Sequence, residues 1–533
     1  MGEPSCFWCG DSSRDLRSCS TCSLIHYCSD NHFRYHGDPK TGECRPFIVL
    51  RSSQKGRYLV ATRDIKACEL IFSEDPFIVG PSRLHKYICL ECLEDVDESH
   101  MNLCSKCNFP VCNEICATEG KWHAPLECSY FQSKGFKAAS ISEAPEFGKI
   151  HKLLLQIAAI TPLRFLLLNE SQHWNQERNL HYSKIIRKDK SFFLEKDMSK
   201  TIMEDFDVDY DESVISQTLR QIFNNAKSLE KNGNDNSGLY FLYSLMNHNC
   251  ISNTKSIIHC VKDDSSPAQI DVRALRPIKA GEEISTRYVS SNMGLPTRRE
   301  LLLEHWGFTC NCSRCKDPSE LGTYTSAIKC SSCQSGYFLP SLDLLKEWSC
   351  NSCSKGLSKI RLQMIINENT EKIRTATRSQ GPKIDVLKEL IVDLKDSLHG
   401  NHFLILQVEY ILVVLMSNSI PSLSSSIKNK NITINNIDPS IWKEYTALCE
   451  HIYYVMNKLD PGYSKNRGKI LKDYIRALMN LAKIENNLGS INNVEFNKRK
   501  EMAKYFSKEL IGCYKHEKFS SSKMKSNGNS FKL

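Results

Sequence analysis

The sequence predicts a multidomain α+β protein braced by zinc, and three observations carry that expectation. At 533 residues the chain is too long for one hydrophobic core, so two or more domains are expected. Most of its 25 cysteines fall in Cys-x2-Cys or Cys-x3-Cys pairs, the knuckles that offer tetrahedral zinc its ligands two at a time. Apolar and polar residues alternate with period two around Ile284, Thr286 and Tyr288, whereas apolar residues recur at helical spacing from Lys359 onward.

Composition narrows the class. No basic n-region and short apolar h-region open the chain, so the knuckles point to zinc in a reducing compartment, cytoplasmic or nuclear, rather than to disulfides. The longest apolar run, Ile150 to Leu168, is broken by His151, Lys152, Pro162 and Arg164 and reads as buried helix and turn, not as a membrane span. A formal charge of +9 is mild and its basic residues are scattered, which leaves nucleic acid out of the expected partners.

The chain opens with Cys6-x2-Cys9, Cys19-x2-Cys22, Cys28-x3-His32 and Cys44, enough ligands for two ions once a neighbour completes the set. Lys55 to Phe72 reads as two strands around a turn at Lys66-Ala67-Cys68. A second array follows: Cys89-x2-Cys92, Cys104-x2-Cys107, Cys112-x3-Cys116, His123 and Cys128. From Phe136 to about Lys231 the pattern is helical, with Leu153, Leu154, Ile157 and Ala158 on one face and Asn224-Asn225-Ala226 near the end; Asn232 to Gly238 reads as a polar loop.

Asn247 to Asn253 packs amides, an imidazole and the Cys250 thiol into seven residues directly after an apolar run, so it is expected to line a site. Ala280-Gly281 reads as a turn into a strand that Tyr288 ends, near that patch. Trp306 to Cys315 then holds Phe308 and three more cysteines, Cys310, Cys312 and Cys315. Cys330-x2-Cys333-x16-Cys350-x2-Cys353 is a zinc-ribbon spacing, with a strand expected over Gly336 to Pro340. Cys68, Cys260, Cys449 and Cys513 stand outside these groups.

Five helices are expected beyond: around Leu387 to Leu394, Leu404 to Leu415, Ile441 to Leu459, Ile470 to Leu488 and Val494 to Tyr514. Ser417 to Pro439 reads as a loop and Asp460-Pro461-Gly462 as a turn, while the Lys/Ser/Asn-rich tail after Lys518 is expected to be disordered.

The motif Asn247-His248-x-Cys250-x-x-Asn253, followed by Gly281-Glu282 and Tyr288, resembles the two signature pieces of a SET domain, the lysine methyltransferase fold. Trp306 to Cys315 resembles its post-SET segment, and the array from Cys89 to Cys128 resembles a MYND finger inserted into it, the arrangement of the SET-and-MYND (SMYD) family. A further finger ahead of the SET part is closest to the arthropod-specific SmydA branch.

The resemblance implies a SET β-fold split by a MYND zinc finger and a helical insert, with an extra N-terminal MYND finger, a post-SET zinc site, a zinc ribbon and a C-terminal tetratricopeptide-like helical domain. The implied divisions are an N-terminal finger over 1–48, SET parts over 49–86 and 239–308, an inserted finger over 87–130 and a helical insert over 131–238. After these come a post-SET segment over 309–317, a ribbon over 326–356 and a helical domain over 357–533.

It implies protein-lysine N-methyltransferase activity on a histone or non-histone protein, with S-adenosylmethionine as cofactor and Tyr288 as the catalytic residue. Arg57, Asn225, Asn247, His248 and Phe308 would bind the cofactor. Six zinc ions are implied. Cys6, Cys9, Cys28 and His32 take the first, and Cys19, Cys22, Cys44 and His36 the second, His36 standing in because Lys40 occupies the family's histidine position. Cys89, Cys92, Cys112 and Cys116 take the third; Cys104, Cys107, His123 and Cys128 the fourth. Cys250 with Cys310, Cys312 and Cys315, and Cys330, Cys333, Cys350 and Cys353, take the last two.

The chain departs from the pattern at Tyr58, where the family's Gly-x-Gly bend has its second glycine, and at Cys68, where the similar segment at Gly281 keeps one. It also departs at Asn249, Ile251 and Ser252, and at Trp306, where many relatives have a tyrosine. These departures leave an alternative: a catalytically weak or inactive adaptor whose fingers bind proline-containing peptides, in transcriptional repression. Either way the expected protein is a monomer whose partner is another protein, with no membrane association.

Overall fold

A computed structural model describes every residue except 1–4, 13–14, 38–42, 83–86, 98–100, 141–151, 172–189, 230–235, 260–267, 334, 342–345, 379–382, 420–437 and 517–533. Lys40, Cys260, the start of the expected polar loop, most of the expected Ser417 to Pro439 loop and the tail after Lys518 lie outside the described residues.

The first cysteine-rich segment carries the hairpin β1 (Arg17–Ser18) and β2 (His26–Tyr27). Then come β3 (Phe47–Ser52), β4 (Gly56–Ala61), β5 (Leu70–Glu74) and β6 (Ile78–Pro81). In β3, Phe47 and Val49 point inward with Ile48 between them, the alternation that a sheet with one buried face requires. β3 and β4 form a hairpin in register Leu50 to Tyr58, closed at Ser52 and Gly56, where φ is +65° and glycine meets no steric cost.

The turn between β4 and β5 also needs a left-handed residue, and there the chain places Cys68 at φ +65°, while Gly281 takes the equivalent place at φ +83°. A β-carbon in that region costs about 1–2 kcal/mol. Cys68→Gly is therefore expected to raise the unfolding free energy by about 1 kcal/mol in denaturant titration; no gain would place the turn's strain elsewhere.

A long excursion follows β6. It begins with β7 (Asn102–Leu103) and β8 (Pro110–Val111) of the second cysteine-rich segment and continues through helices Lys152–Ala158, Ile160–Ser171, Lys190–Lys200 and Glu212–Asn225. Pro162 is tolerated because it lies in the first turn of its helix, where its missing N–H has no partner to lose. Two expectations change here. Lys227–Ser228, placed in a helical stretch, forms strand β9, and Asn236–Leu239, placed up to Gly238 in a polar loop, forms strand β10 between β6 and β9. Burial decides it: Asn236 is 2% exposed and its amide donates to the Leu93 carbonyl at 3.0 Å, a contact 143 residues distant in sequence.

β11 (Thr254–His259) pairs with β12 (Gln269–Ala274), which pairs with β5, and β13 (Glu283–Ile284) pairs with β4. Three small three-stranded sheets thus surround the site segments: β6-β10-β9, β11-β12-β5 and β13-β4-β3. The strand expected to end at Tyr288 closes at Ile284, because Asn253 takes over the next backbone groups; beyond it Thr286 makes a bridge with His248.

β14 (Ile328–Lys329), β15 (Tyr337–Leu339), β16 (Trp348–Cys350) and β17 (Gly356–Leu357) make a four-stranded sheet around the last knuckles. Helices Ile384–Ser397, Phe403–Ser419, Pro439–Leu459, Lys465–Asn487 and Asn493–Tyr514 match the five expected, although the second runs past Ser417 into the expected loop. A sixth, Lys359–Arg378, opens the stretch read as helical from Lys359 but was not among the five, because its apolar face is thin: its buried residues are Leu362, Asn369 and Ile373.

The Asp460-Pro461-Gly462 turn is a docking point. Gly462, at φ +82°, lies so close to the Leu275 carbonyl that a β-carbon would come within 2.3 Å, and Tyr463 N–H donates to the same oxygen at 2.9 Å. Arg287 reaches across to Asp460 at 2.8 Å while also donating to the Cys250 carbonyl at 3.3 Å. The C-terminal helices are thereby tied to the residue that precedes Tyr288.

Candidate functional site

Five groups of four thiol or imidazole ligands converge, each with its ligand atoms within 4.8 Å of one another: Cys6, Cys9, Cys28, His32; Cys19, Cys22, His36, Cys44; Cys89, Cys92, Cys112, Cys116; Cys104, Cys107, His123, Cys128; and Cys250, Cys310, Cys312, Cys315. A zinc tetrahedron with Zn–S of about 2.3 Å has edges of roughly 3.8 Å. Sulfur–sulfur separations of 3.7 Å for Cys9 and Cys28, 3.6 Å for Cys19 and Cys44, 3.7 Å for Cys104 and Cys128 and 3.5 Å for Cys250 and Cys315 fit that cage. His36, chosen at the sequence level as a substitute, has Nε2 3.2 Å from Cys22 Sγ. Around the last knuckles, Cys330 and Cys353 are 3.8 Å apart and Cys333 and Cys350 3.7 Å.

One cluster is wired into the core. His123 directs Nε2 toward Cys107 and Nδ1 toward Glu127 at 3.1 Å, and Glu127 meets Arg164, all three being fully buried. Arg164 also donates to the Val79 carbonyl of β6 at 2.7 Å and to the Leu90 carbonyl at 2.6 Å. The Arg164 guanidinium holds the Glu127 carboxyl below the usual carboxylate range, so the pair is charged in the interior. A carboxylate behind a metal-binding histidine sets the ring's tautomer and orientation. Sequence reasoning used Arg164 only as a break in an apolar run and passed over Glu127, although a glutamate one helical turn after His123 was a visible signal.

The Asn247 to Asn253 segment and the strand after Gly281 run together through Thr286 N–H to the Asn247 carbonyl at 3.0 Å and Asn249 N–H to the Thr286 carbonyl at 2.9 Å. Each polar residue of the motif then has a task. Asn253 donates to the Glu283 carbonyl at 2.8 Å and accepts from Ser285 N–H at 2.9 Å, continuing the ladder with a side chain. His248 Nδ1 accepts from Tyr288 N–H at 3.0 Å, which leaves Nε2–H to face Cys250 Sγ at 3.3 Å. Desolvation holds the His248 imidazole down to about 4, consistent with that neutral form. Asn247 donates to Glu283 at 3.1 Å and to the Lys55 carbonyl at 3.4 Å, beside the open bend at Gly56.

Tyr288 donates its hydroxyl to the Met246 carbonyl at 2.9 Å. Its ring stands 5.3 Å from His248, 5.0 Å from Trp306 and 6.4 Å from Phe308, centroid to centroid. Desolvation pushes its phenol well up, so it stays protonated at neutral pH. Trp306 is fixed by its Nε1–H to the Asn224 carbonyl at 2.9 Å.

Tyr288, Asn247, His248, Phe308 and Cys250 therefore converge on one place. Asn225 lies at the end of its helix one residue from that wall, with its amide donating to Gln221 of the same helix at 2.7 Å. Arg57 follows Gly56, across the ladder from Arg51; burial and that second guanidinium lower it to about 10. Tyr58 is half-buried, its ring centroid 5.2 Å from the Lys55 ammonium, which itself pairs with Glu283 at 2.6 Å. Unforeseen neighbours are Tyr243, whose hydroxyl is 3.2 Å from Thr286 Oγ1, and Glu74, whose carboxylate accepts from Leu242 and Tyr243 N–H at 2.9 and 3.1 Å.

Residues 56–289 match the family model of the SET domain. The SET domain-containing protein SmydA-8, isoform A, of Drosophila melanogaster is 28% identical over 320 residues, spanning 58% of this chain and 64% of that protein. A SET and MYND domain-containing protein of Dictyostelium discoideum is 25% identical over 268 residues, spanning 46% of this chain and 76% of that one. Histone-lysine N-methyltransferase ASHR2 of Arabidopsis thaliana is 24% identical over 298 residues, spanning 52% and 74%. Among the described residues, no helix is long and apolar enough to cross a membrane.

Proposed function

The chain is a SET-domain protein of the SET-and-MYND family, and from that premise we infer that it is an S-adenosylmethionine-dependent protein-lysine N-methyltransferase acting on a histone or non-histone protein in the cytoplasm or nucleus. The observation that carries this reading is the Tyr288 hydroxyl bonded to the Met246 carbonyl inside an aromatic wall of His248, Trp306 and Phe308. A lysine amine is a nucleophile only when neutral, and at its reference pKa of about 10.4 it is almost wholly protonated. A narrow, desolvated aromatic opening disfavours the ammonium, and the carbonyl and phenol at its end orient the lone pair.

S-adenosylmethionine supplies a methyl group on a sulfonium. The Gly56 bend, with open space around its α-carbon, the Asn247 amide and the Phe308 ring form a donor and stacking set that fits such a molecule, with Arg57 and the neutral His248 beside it. Asn225 contributes least to the argument, because its amide already serves its own helix. The same reading makes 1–48 and 87–130 MYND fingers, 309–317 a post-SET segment, 326–356 a zinc ribbon and 357–533 a tetratricopeptide-like domain, with six zinc ions in a monomer. Proline-containing peptides are the ligands proposed for the fingers.

Tyr58 supports the second reading, an inactive adaptor, because a side chain at a bend used for close approach can fill the space a ligand needs. Cofactor titration on the purified chain tests both. Wild type is expected to bind, and Tyr58→Gly to change the affinity by less than about tenfold, roughly 1.4 kcal/mol. A wild type that fails to bind beside a variant that binds well would establish a plugged site and the adaptor reading.

A further inference from the structure

A lysine of the chain itself lies beside Tyr243, whose hydroxyl meets the segment that leads to Tyr288. Lys227 is half-buried in β9, its ammonium 5.7 Å from the Tyr243 ring centroid. The Tyr243 hydroxyl reaches Thr286 Oγ1, two residues before Tyr288. Two independent contacts bring β9 there. Lys227 pairs with Gly238 of β10, the strand that leads into Tyr243, and Asn224 holds Trp306, whose ring lies against Tyr288. Alternate residues of a strand face opposite ways. Ala226 and Ser228 line a separate cavity of about 270 Å³ under the helical insert, which turns Lys227 toward the tyrosines.

We propose that Lys227 is an acceptor for the chain's own site, so that the protein methylates itself in cis. This rests on the methyltransferase reading above. The ammonium first loses a proton to water; the Nζ lone pair then forms the C–N bond to the methyl carbon of S-adenosylmethionine as its C–S bond breaks, and the bonding pair stays on sulfur in S-adenosylhomocysteine. The Tyr243 ring, 5.7 Å from the ammonium, positions the Lys227 side chain.

The test uses the full chain with S-adenosylmethionine, direct measurement of cofactor binding, and peptide mass spectrometry. The expected result is a methyl group on the Lys227 peptide, gained at a fractional rate unchanged by diluting the protein and abolished in Lys227→Arg. A readout that needs no turnover accompanies it: without cofactor, Lys227 should react more slowly with an amine-acylating reagent than exposed lysines such as Lys279, and faster in Tyr243→Leu, which removes the ring. Cofactor binding with Lys227 unmethylated and freely acylated would overturn the inference alone. No cofactor binding would overturn the methyltransferase reading and this inference with it.

Discussion

Cys250→Ser is expected to remove one metal ion and the cofactor site together. Cys250 is fully buried, 3.5 Å from Cys315 Sγ, and belongs to the group completed by Cys310 and Cys312. Structural zinc contributes on the order of 10 kcal/mol in small peptides, so losing one thiolate of four costs much of that site's affinity. The damage does not stay local. Cys250 faces His248 Nε2, whose other nitrogen holds the Tyr288 backbone, and the Cys250 carbonyl receives Arg287. On the other side Arg298 donates to Cys315 Sγ at 3.7 Å from a fully buried position shared with Arg314 and Glu320, so the charge of a tetrathiolate site is balanced from within the core. Metal analysis should find one equivalent fewer, and calorimetry should find S-adenosylmethionine affinity weakened by more than about tenfold, 1.4 kcal/mol. Full metal content with unchanged affinity would separate the thiol from the site.

Glu127→Ala is expected to destabilise the protein by about 3–5 kcal/mol, the usual cost of stranding one partner of a buried ion pair. Arg164 would keep its carbonyl acceptors at Val79 and Leu90 but lose the carboxylate it pairs with, in a position with no solvent exposure. His123 would lose the partner that orients it, which typically weakens a metal site by about 10–100-fold. Pairing the change with Arg164→Met separates the two effects. Replacing both charges by apolar groups is often close to neutral, so the double variant should recover most of the unfolding free energy while its metal affinity stays low. A single variant as stable as wild type in denaturant titration would show that the pair carries no such weight.

How much of the site was legible follows from how far each interaction reaches along the chain. Knuckles are local: two thiols three residues apart already lie within one turn, so Cys104 with Cys107 or Cys330 with Cys333 declare themselves as ligand pairs whatever the fold does. The Asn247 to Asn253 motif is equally compact, and its residue types anticipate their work of replacing ladder hydrogen bonds with side chains. Strand β9 and strand β10 were misread because their polar sequences pair only after the long excursion folds back on β6.

By itself, then, the sequence determined the ligand pairs, the two strands β4 and β5 around the Lys66 to Cys68 turn, the helical periodicity of the last segment and the stretch that holds Tyr288, since each is encoded within a few residues of itself. Tertiary structure alone decided that Glu127 serves Arg164, 37 residues away, that Arg287 meets Asp460 across 173, and that Lys227 lies beside Tyr243. The Lys66 to Cys68 turn was legible, and the structure added that Cys68 takes a left-handed φ of +65° there. The reason is physical: a buried charge or a strained turn is tolerated only where distant segments close around it, and no local pattern of residues records which segment arrives.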